Sequence, residues 1–131
     1  SIRLTFFDIF SDKTKQFGFK AVFPSGKVLA CLGDEPFNEK CRNFVQNCDY
    51  LMCEAFCLYS QKDIFKPYEK FHSTVLDAGK LAEILFAKNL ILYHAEDETL
   101  QTRKRTYTSE ARTVFNGNIF VPDDFEVIDL K

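Results

Sequence analysis

Tryptophan is absent from the 131 residues, and histidine occurs only twice. Also lacking are a basic excess (17 Lys and Arg against 19 Asp and Glu, formal net charge −2), a long apolar run, and any repeat, linker or low-complexity stretch. Near-balanced charge removes the overall electrostatic footprint of a nucleic-acid binder and leaves room only for a local patch. No apolar run approaches the roughly 20 residues of a membrane span. The opening Ser-Ile-Arg-Leu-Thr-Phe-Phe-Asp does not read as a signal peptide. Five cysteines, an odd number without a secretion signal, argue for reduced thiols in a cytoplasmic protein. Cys53 and Cys57 are four apart, but no second pair or nearby His completes a zinc site. Buried, inert thiols are expected; the alternative is an oxidation-sensitive surface thiol at Cys41 or Cys48.

What is present is an ordinary globular composition, 46% hydrophobic and 27% charged, with 15 Phe that imply an aromatic core. The length suits a single domain over residues 1–131 with one core. Residues 2–10 are rich in strand formers. Residues 17–32 read as a β-hairpin about Pro24-Ser25-Gly26, closing in Gly33-Asp34-Glu35-Pro36. Asn38 to Gln46 reads as a short helix, and Asp49 to Cys53 as a buried strand ending at Glu54. Residues 55–71 form an aromatic loop suited to one wall of a pocket. Thr99 to Val114 reads as a charged surface helix, and 119–121 and 125–130 as short final strands. A hairpin followed by β-α-β units makes an α/β protein.

The centre of the chain is Phe71 to Glu98. Ser73 or Thr74 is a good N-cap, and Ala78, Leu81, Ala82 and Leu85 recur at the spacing of a helix with one buried face. Leu90 to Tyr93 then reads as a buried strand. A helix of about 13 residues climbs roughly 20 Å, and a strand of about five returns roughly 17 Å. His72 and His94 therefore finish on one edge of the sheet, where open α/β sheets bind ligands. Asp34 and Glu54 end strands on the same side. Such a set suits a carboxylate–imidazole metal site or an acid/base pair. Singly, each residue has a plainer reading: Asp34 a turn former, His72 a helix-start residue, His94 a satisfied strand-end histidine. Glu54 is odder, because a carboxylate flanked by apolar residues needs a partner.

Gly33-Asp34, a strand closing in Glu54-Ala55, His72-Ser73-Thr74 opening a helix, and a strand ending in His94 together resemble the metallo-β-lactamase superfamily, nearest its ribonuclease Z-like branch. The resemblance runs over roughly residues 17–130 and corresponds to the carboxy-terminal half of that fold. It implies half of an αββα sandwich and a dinuclear centre of two divalent ions, zinc foremost. It implies further that Asp34 bridges the ions and that His94 is the last ligating imidazole. His72 would contact the scissile phosphate or protonate the leaving group, and Glu54 would orient it. A His backed by Glu is expected to have a raised pKa.

The superfamily's His-x-His-x-Asp-His loop cannot come from a chain with two histidines. The polypeptide then supplies half an active site. It is a fragment of a longer hydrolase, or it pairs with a second chain carrying the other half, or it is a remnant that no longer catalyses. The Ser start favours a fragment. Without the second sheet, apolar residues of 17–32 and 51–53 would lie bare, and a homodimer covering them is a natural outcome. The leading reading is part of a metal-dependent hydrolase of phosphodiester or related ester bonds, inactive without its His-rich half. A lactonase or thioesterase remains open. The alternative is a non-catalytic dimerising or binding α/β domain that keeps ancestral motifs. Because two ligands are too few for a closed site, the isolated 131 residues should hold zinc or manganese weakly. Calorimetry showing a sub-micromolar site in the isolated monomer would count against this.

Overall fold

The computed structural model describes residues 1–130; Lys131, the end of the expected domain, lies outside the described residues. Strand formers set six strands: β1 Arg3–Asp8, β2 Phe17–Val22, β3 Val28–Cys31, β4 Tyr50–Glu54, β5 Asn89–Tyr93 and β6 Asn118–Phe120. They lie side by side in sequence order. β1, β2 and β3 pair antiparallel, and β3, β4, β5 and β6 pair parallel. The expected hairpin and β-α-β order is what forms. The carboxyl ends of β3, β4 and β5 consequently share one edge.

The helices are α1 Arg42–Val45, α2 Lys62–Phe65, α3 Val75–Ile84 and α4 Arg103–Arg112. α3 starts where a capping box allows. The Thr74 side chain accepts from the Asp77 amide at 3.2 Å, and the Asp77 carboxylate accepts from the Thr74 amide at 2.9 Å. Two expectations contract. Thr99 to Val114 is helical only over Arg103–Arg112, after a turn around Thr99–Thr102, and residues 55–71 hold α2 between two 3-10 turns. One expectation fails. Residues 125–130 form no strand; Phe125 takes a left-handed φ of 64° in a turn that bonds Glu126 back to Asp123.

All the helices that bury apolar residues pack on one face of the sheet. Phe7, Ala30, Leu51, Cys53, Leu90 and Leu92 point there, against Val45, Val75, Ala78, Leu81, Ala82, Tyr107 and Ala111. The opposite face is a row set by strand register: Phe6, Phe19, Cys31, Met52, Ile91 and Phe120. At its β1 and β2 end Leu4, Phe6 and Phe17 are 55%, 65% and 55% exposed. This face includes Phe17, Phe19, Cys31 and Met52 of the strands expected to carry it, and extends beyond them to Leu4 and Phe6 of β1. On β4, Leu51 and Cys53 are buried beneath the helices. Four cysteines are buried as expected, but the part-exposed one is Cys31, not Cys41 or Cys48, which are each 1% exposed.

α3 and α4 meet at Gly79, where an added Cβ would lie 2.7 Å from Val114 Cγ2 and 3.2 Å from the Ala111 carbonyl. In an open helix Gly→Ala stabilises by about 1 kcal/mol. Here the clash with a fixed neighbour helix wins, since overpacking costs about 1–3 kcal/mol. Gly79→Ala should therefore lower the unfolding free energy, read as a lower denaturant midpoint; a higher midpoint would mean that the helices part at no cost.

Candidate active site

Glu54 ends β4 with its side chain fully buried. A carboxylate in that position must find donors. Oε1 accepts from the Ser73 amide at 2.8 Å, and Oε2 lies 2.6 Å from His72 Nδ1. The same Oε2 is 3.7 Å from His94 Nδ1. His94 Nε2 is 3.8 Å from Asp34 Oδ2. The four residues predicted to share the edge are one cluster, and Glu54, His72 and His94 each offer a ligand atom within 4.8 Å of the others.

Each side chain is placed by the backbone around it. Gly33, at φ 80°, makes the bend that turns Asp34 toward the edge. His94 follows β5 with φ 58°, a left-handed conformation that lifts its ring away from the strand direction. His72 follows Phe71, also left-handed, and its amide donates to the Pro67 carbonyl at 2.9 Å. The Phe56 ring stacks on the His72 ring with centroids 5.0 Å apart and planes 20° apart. The aromatic stretch after Glu54 is thus a wall of the site, as expected.

Electrostatics divide the cluster in two. Burial, aided by Asp34 and Glu35, pushes the Glu54 carboxyl up to about 8. His72 goes down, mainly through burial, then through His94 and Lys13. The expected rise for His72 is therefore reversed: burial, with His94 and Lys13, outweighs Asp34, which favours imidazolium. Both shifts favour the uncharged forms, and the 2.6 Å contact between Oε2 and Nδ1 joins the two groups by a hydrogen bond. Asp34 and His94 stand at the open side, their side chains 47% and 41% exposed.

Sequence reasoning missed two residues that hold this edge together. The Tyr93 hydroxyl donates to the Gly33 carbonyl and lies 3.5 Å from Cys31 Sγ, tying the end of β5 to the bend before Asp34. A Tyr closing an apolar strand is a signal for such a bond, since a buried phenol seeks a partner. Ser73, one of two cap candidates, does not cap α3; its amide holds Glu54, and Thr74 is the cap.

No protein-family model matches the chain. Ribonuclease Z of Bacillus cereus (strain AH187) is 32% identical over 98 residues, which is 75% of this chain and 31% of that protein. Ribonuclease Z of Bacillus thuringiensis (strain Al Hakam) gives the same figures. The sequence and the edge geometry place the chain. It is related to ribonuclease Z over part of its length, within the metallo-β-lactamase superfamily. The ribonuclease Z-like chain spans about a third of the length of the curated relatives it matches. Its fold is also that of the metallo-β-lactamase fold protein YhfI from Bacillus subtilis, with TM-score 0.73, 20% identity, and 92% of this chain against 46% of that one. The short form of human tRNase Z superposes with TM-score 0.72 and 24% identity, covering 98% of this chain and 43% of that one.

The two opposite shifts give a pH signature. Glu54 has its folded value raised from 4.5, so its stabilising contribution is full below 4.5 and is lost as pH rises through about 8. His72 has its value lowered from 6.5, so its contribution is present above 6.5 and lost as pH falls below that. In chelator, the thermal stability of the native chain should fall relative to Glu54→Gln as pH rises from 4.5 to 8. A pH-independent difference between the two would show that Glu54 stays ionised throughout.

Proposed function

We propose that this chain is the carboxy-terminal half of the catalytic domain of a metal-dependent phosphodiesterase. The observation that carries the reading is the 2.6 Å contact between His72 Nδ1 and a fully buried Glu54, on the same edge as Asp34 and His94. The relatives, ribonuclease Z and tRNase Z, support it.

The residues present fit divalent cations. Imidazole and carboxylate are donors that zinc accepts. Asp34 and His94 would hold the ions, because they are the exposed pair, whereas both Glu54 oxygens are engaged by Ser73 and His72. Bound divalent cations polarise a phosphoryl oxygen and make water acidic enough to ionise near neutral pH. Two side chains leave most ligand positions to the rest of the protein.

The protonation work belongs to the buried pair. With Glu54 protonated, His72 is neutral and carries its own proton on Nε2. Nε2–H protonates the leaving oxygen as the phosphorus–oxygen bond breaks. Nδ1 takes the Glu54 proton in the same movement, and Glu54 ends ionised. The stacked Phe56 ring and the Glu54 contact hold the imidazole, so that no rotation is needed. The exposed row through Leu4, Phe6 and Phe17 is the surface that the amino-terminal half would cover. A non-catalytic dimerising domain is the second reading, and the same apolar face favours it; in that case the chain alone would sediment as a homodimer.

In the complete protein, His72→Ala should lower turnover of a phosphodiester by about 10²- to 10⁴-fold, with metal content nearly unchanged. Asp34→Ala should lose metal, and Glu54→Gln should resemble a milder His72→Ala. Metal analysis beside steady-state kinetics checks all three. Loss of metal in His72→Ala with per-metal activity kept would make His72 a ligand and sink the assignment.

A further inference from the structure

Beside Asp34 and His72, lysines lie over aromatic rings in a chain whose overall charge is negative. Lys40 Nζ is 4.8 Å from the centroid of Phe10, and Lys13 Nζ is 5.7 Å from that of Phe71. Lys70 Nζ is 5.2 Å from Phe56, the ring stacked on His72. Lys13 also donates to the Lys70 carbonyl at 3.3 Å, which ties the loop after β1 to the turn before His72.

Phe10 and Phe71 are 43% and 55% exposed, and both have a φ of 60°. A left-handed backbone is strained for a bulky residue, and glycine usually stands there. An exposed ring gains little burial in return, so folding alone does not explain either phenylalanine. Both rings line one groove of about 260 Å³ together with Lys13, Glu35 and Phe37. The groove starts at Glu35, one residue from Asp34. Its acidic members leave the cations free: Glu35 is engaged by the Ser11 hydroxyl at 2.7 Å and by Gln16 at 3.3 Å, and Asp12 is exposed.

We propose that this groove positions the nucleotide next to the scissile phosphodiester, with the base against Phe71 and Phe10 and the flanking phosphate on Lys13 and Lys40. Bases present a π-face to aromatic rings only when unpaired, and lysine meets phosphate as a point charge. The volume lies just below the roughly 300 Å³ at which ligand pockets begin, so it suits one base rather than a duplex. The inference rests on the phosphodiesterase reading and assigns positioning residues to it, none of them in the acid pair or the metal-ligand set.

The test uses the complete protein, a fluorescein-labelled oligouridylate in chelator, and bis(p-nitrophenyl) phosphate with metal. Lys13→Gln should flatten the slope of log affinity against log salt by about 0.7, the value for one lost contact on a single strand. Phe71→Gly keeps the left-handed turn without the ring; it should weaken oligonucleotide binding about 5-fold or more, and Phe71→Tyr should restore it. At the plateau of its pH profile, hydrolysis of the small diester should stay within about twofold for all three, since it has no base to hold and Lys13 reaches His72 only through charge. Unchanged salt slope and affinity in Lys13→Gln and Phe71→Gly would overturn the proposal. So would a parallel loss of small-diester hydrolysis, which would mean that these residues only hold the loop. If the metal-loaded protein cleaves neither substrate while binding still depends on Lys13 and Phe71, the phosphodiesterase reading fails and the groove stands only as a site for a base and its phosphate.

Discussion

One buried carboxylate sets the conditions for the rest of this site. Glu54 is placed in the apolar interior by β4, whose neighbours on both sides leave it no route to water. Satisfying it takes the Ser73 amide and His72 Nδ1, at 2.8 and 2.6 Å. Those two bonds fix where the turn before α3 must pass. They also bring Phe56 under His72 and the Cys57 and Thr74 backbones together as a β-bridge. A group that is costly to bury without partners thereby becomes a geometric anchor. Its return lies in orientation, because burial removes the hydration that an ionised pair would need.

The same edge explains why the fold tolerates strain there. Phe71, His94 and Gly33 all have positive φ within the segments that bring His72, His94 and Asp34 together. Tyr93 holds the two strand ends from behind by its bond to the Gly33 carbonyl. The helices meanwhile bury one sheet face only. That asymmetry leaves the row from Leu4 and Phe6 inward as apolar surface, which a chain of this composition cannot leave wet without cost. In the proposed reading, another polypeptide segment completes both the site and the bare face.

Much of this was legible before any coordinates. Apolar strands closing in a polar residue, and a helix spaced to return the chain, were enough to put Asp34, Glu54, His72 and His94 on one edge, because strand length and helix rise leave little freedom. The hairpin, the parallel strands and the buried thiols follow from the same local patterns. The strand expected over residues 125–130 does not form, since β-forming residues make a strand only where a neighbour offers a ladder.

What only the tertiary structure decided is the environment of each group. The opposite shifts of Glu54 and His72 depend on desolvation, and no spacing along the chain reports it. The Tyr93 bond spans 60 positions, and the pairing of Lys13 with Phe71 joins a loop after β1 to a turn before α3. The sequence by itself determined which chemical groups reach the edge, because secondary structure has fixed rises and periods. Which of them are dry, which face water and which way a proton leans was decided by packing, because burial is a property of the whole fold and not of any segment.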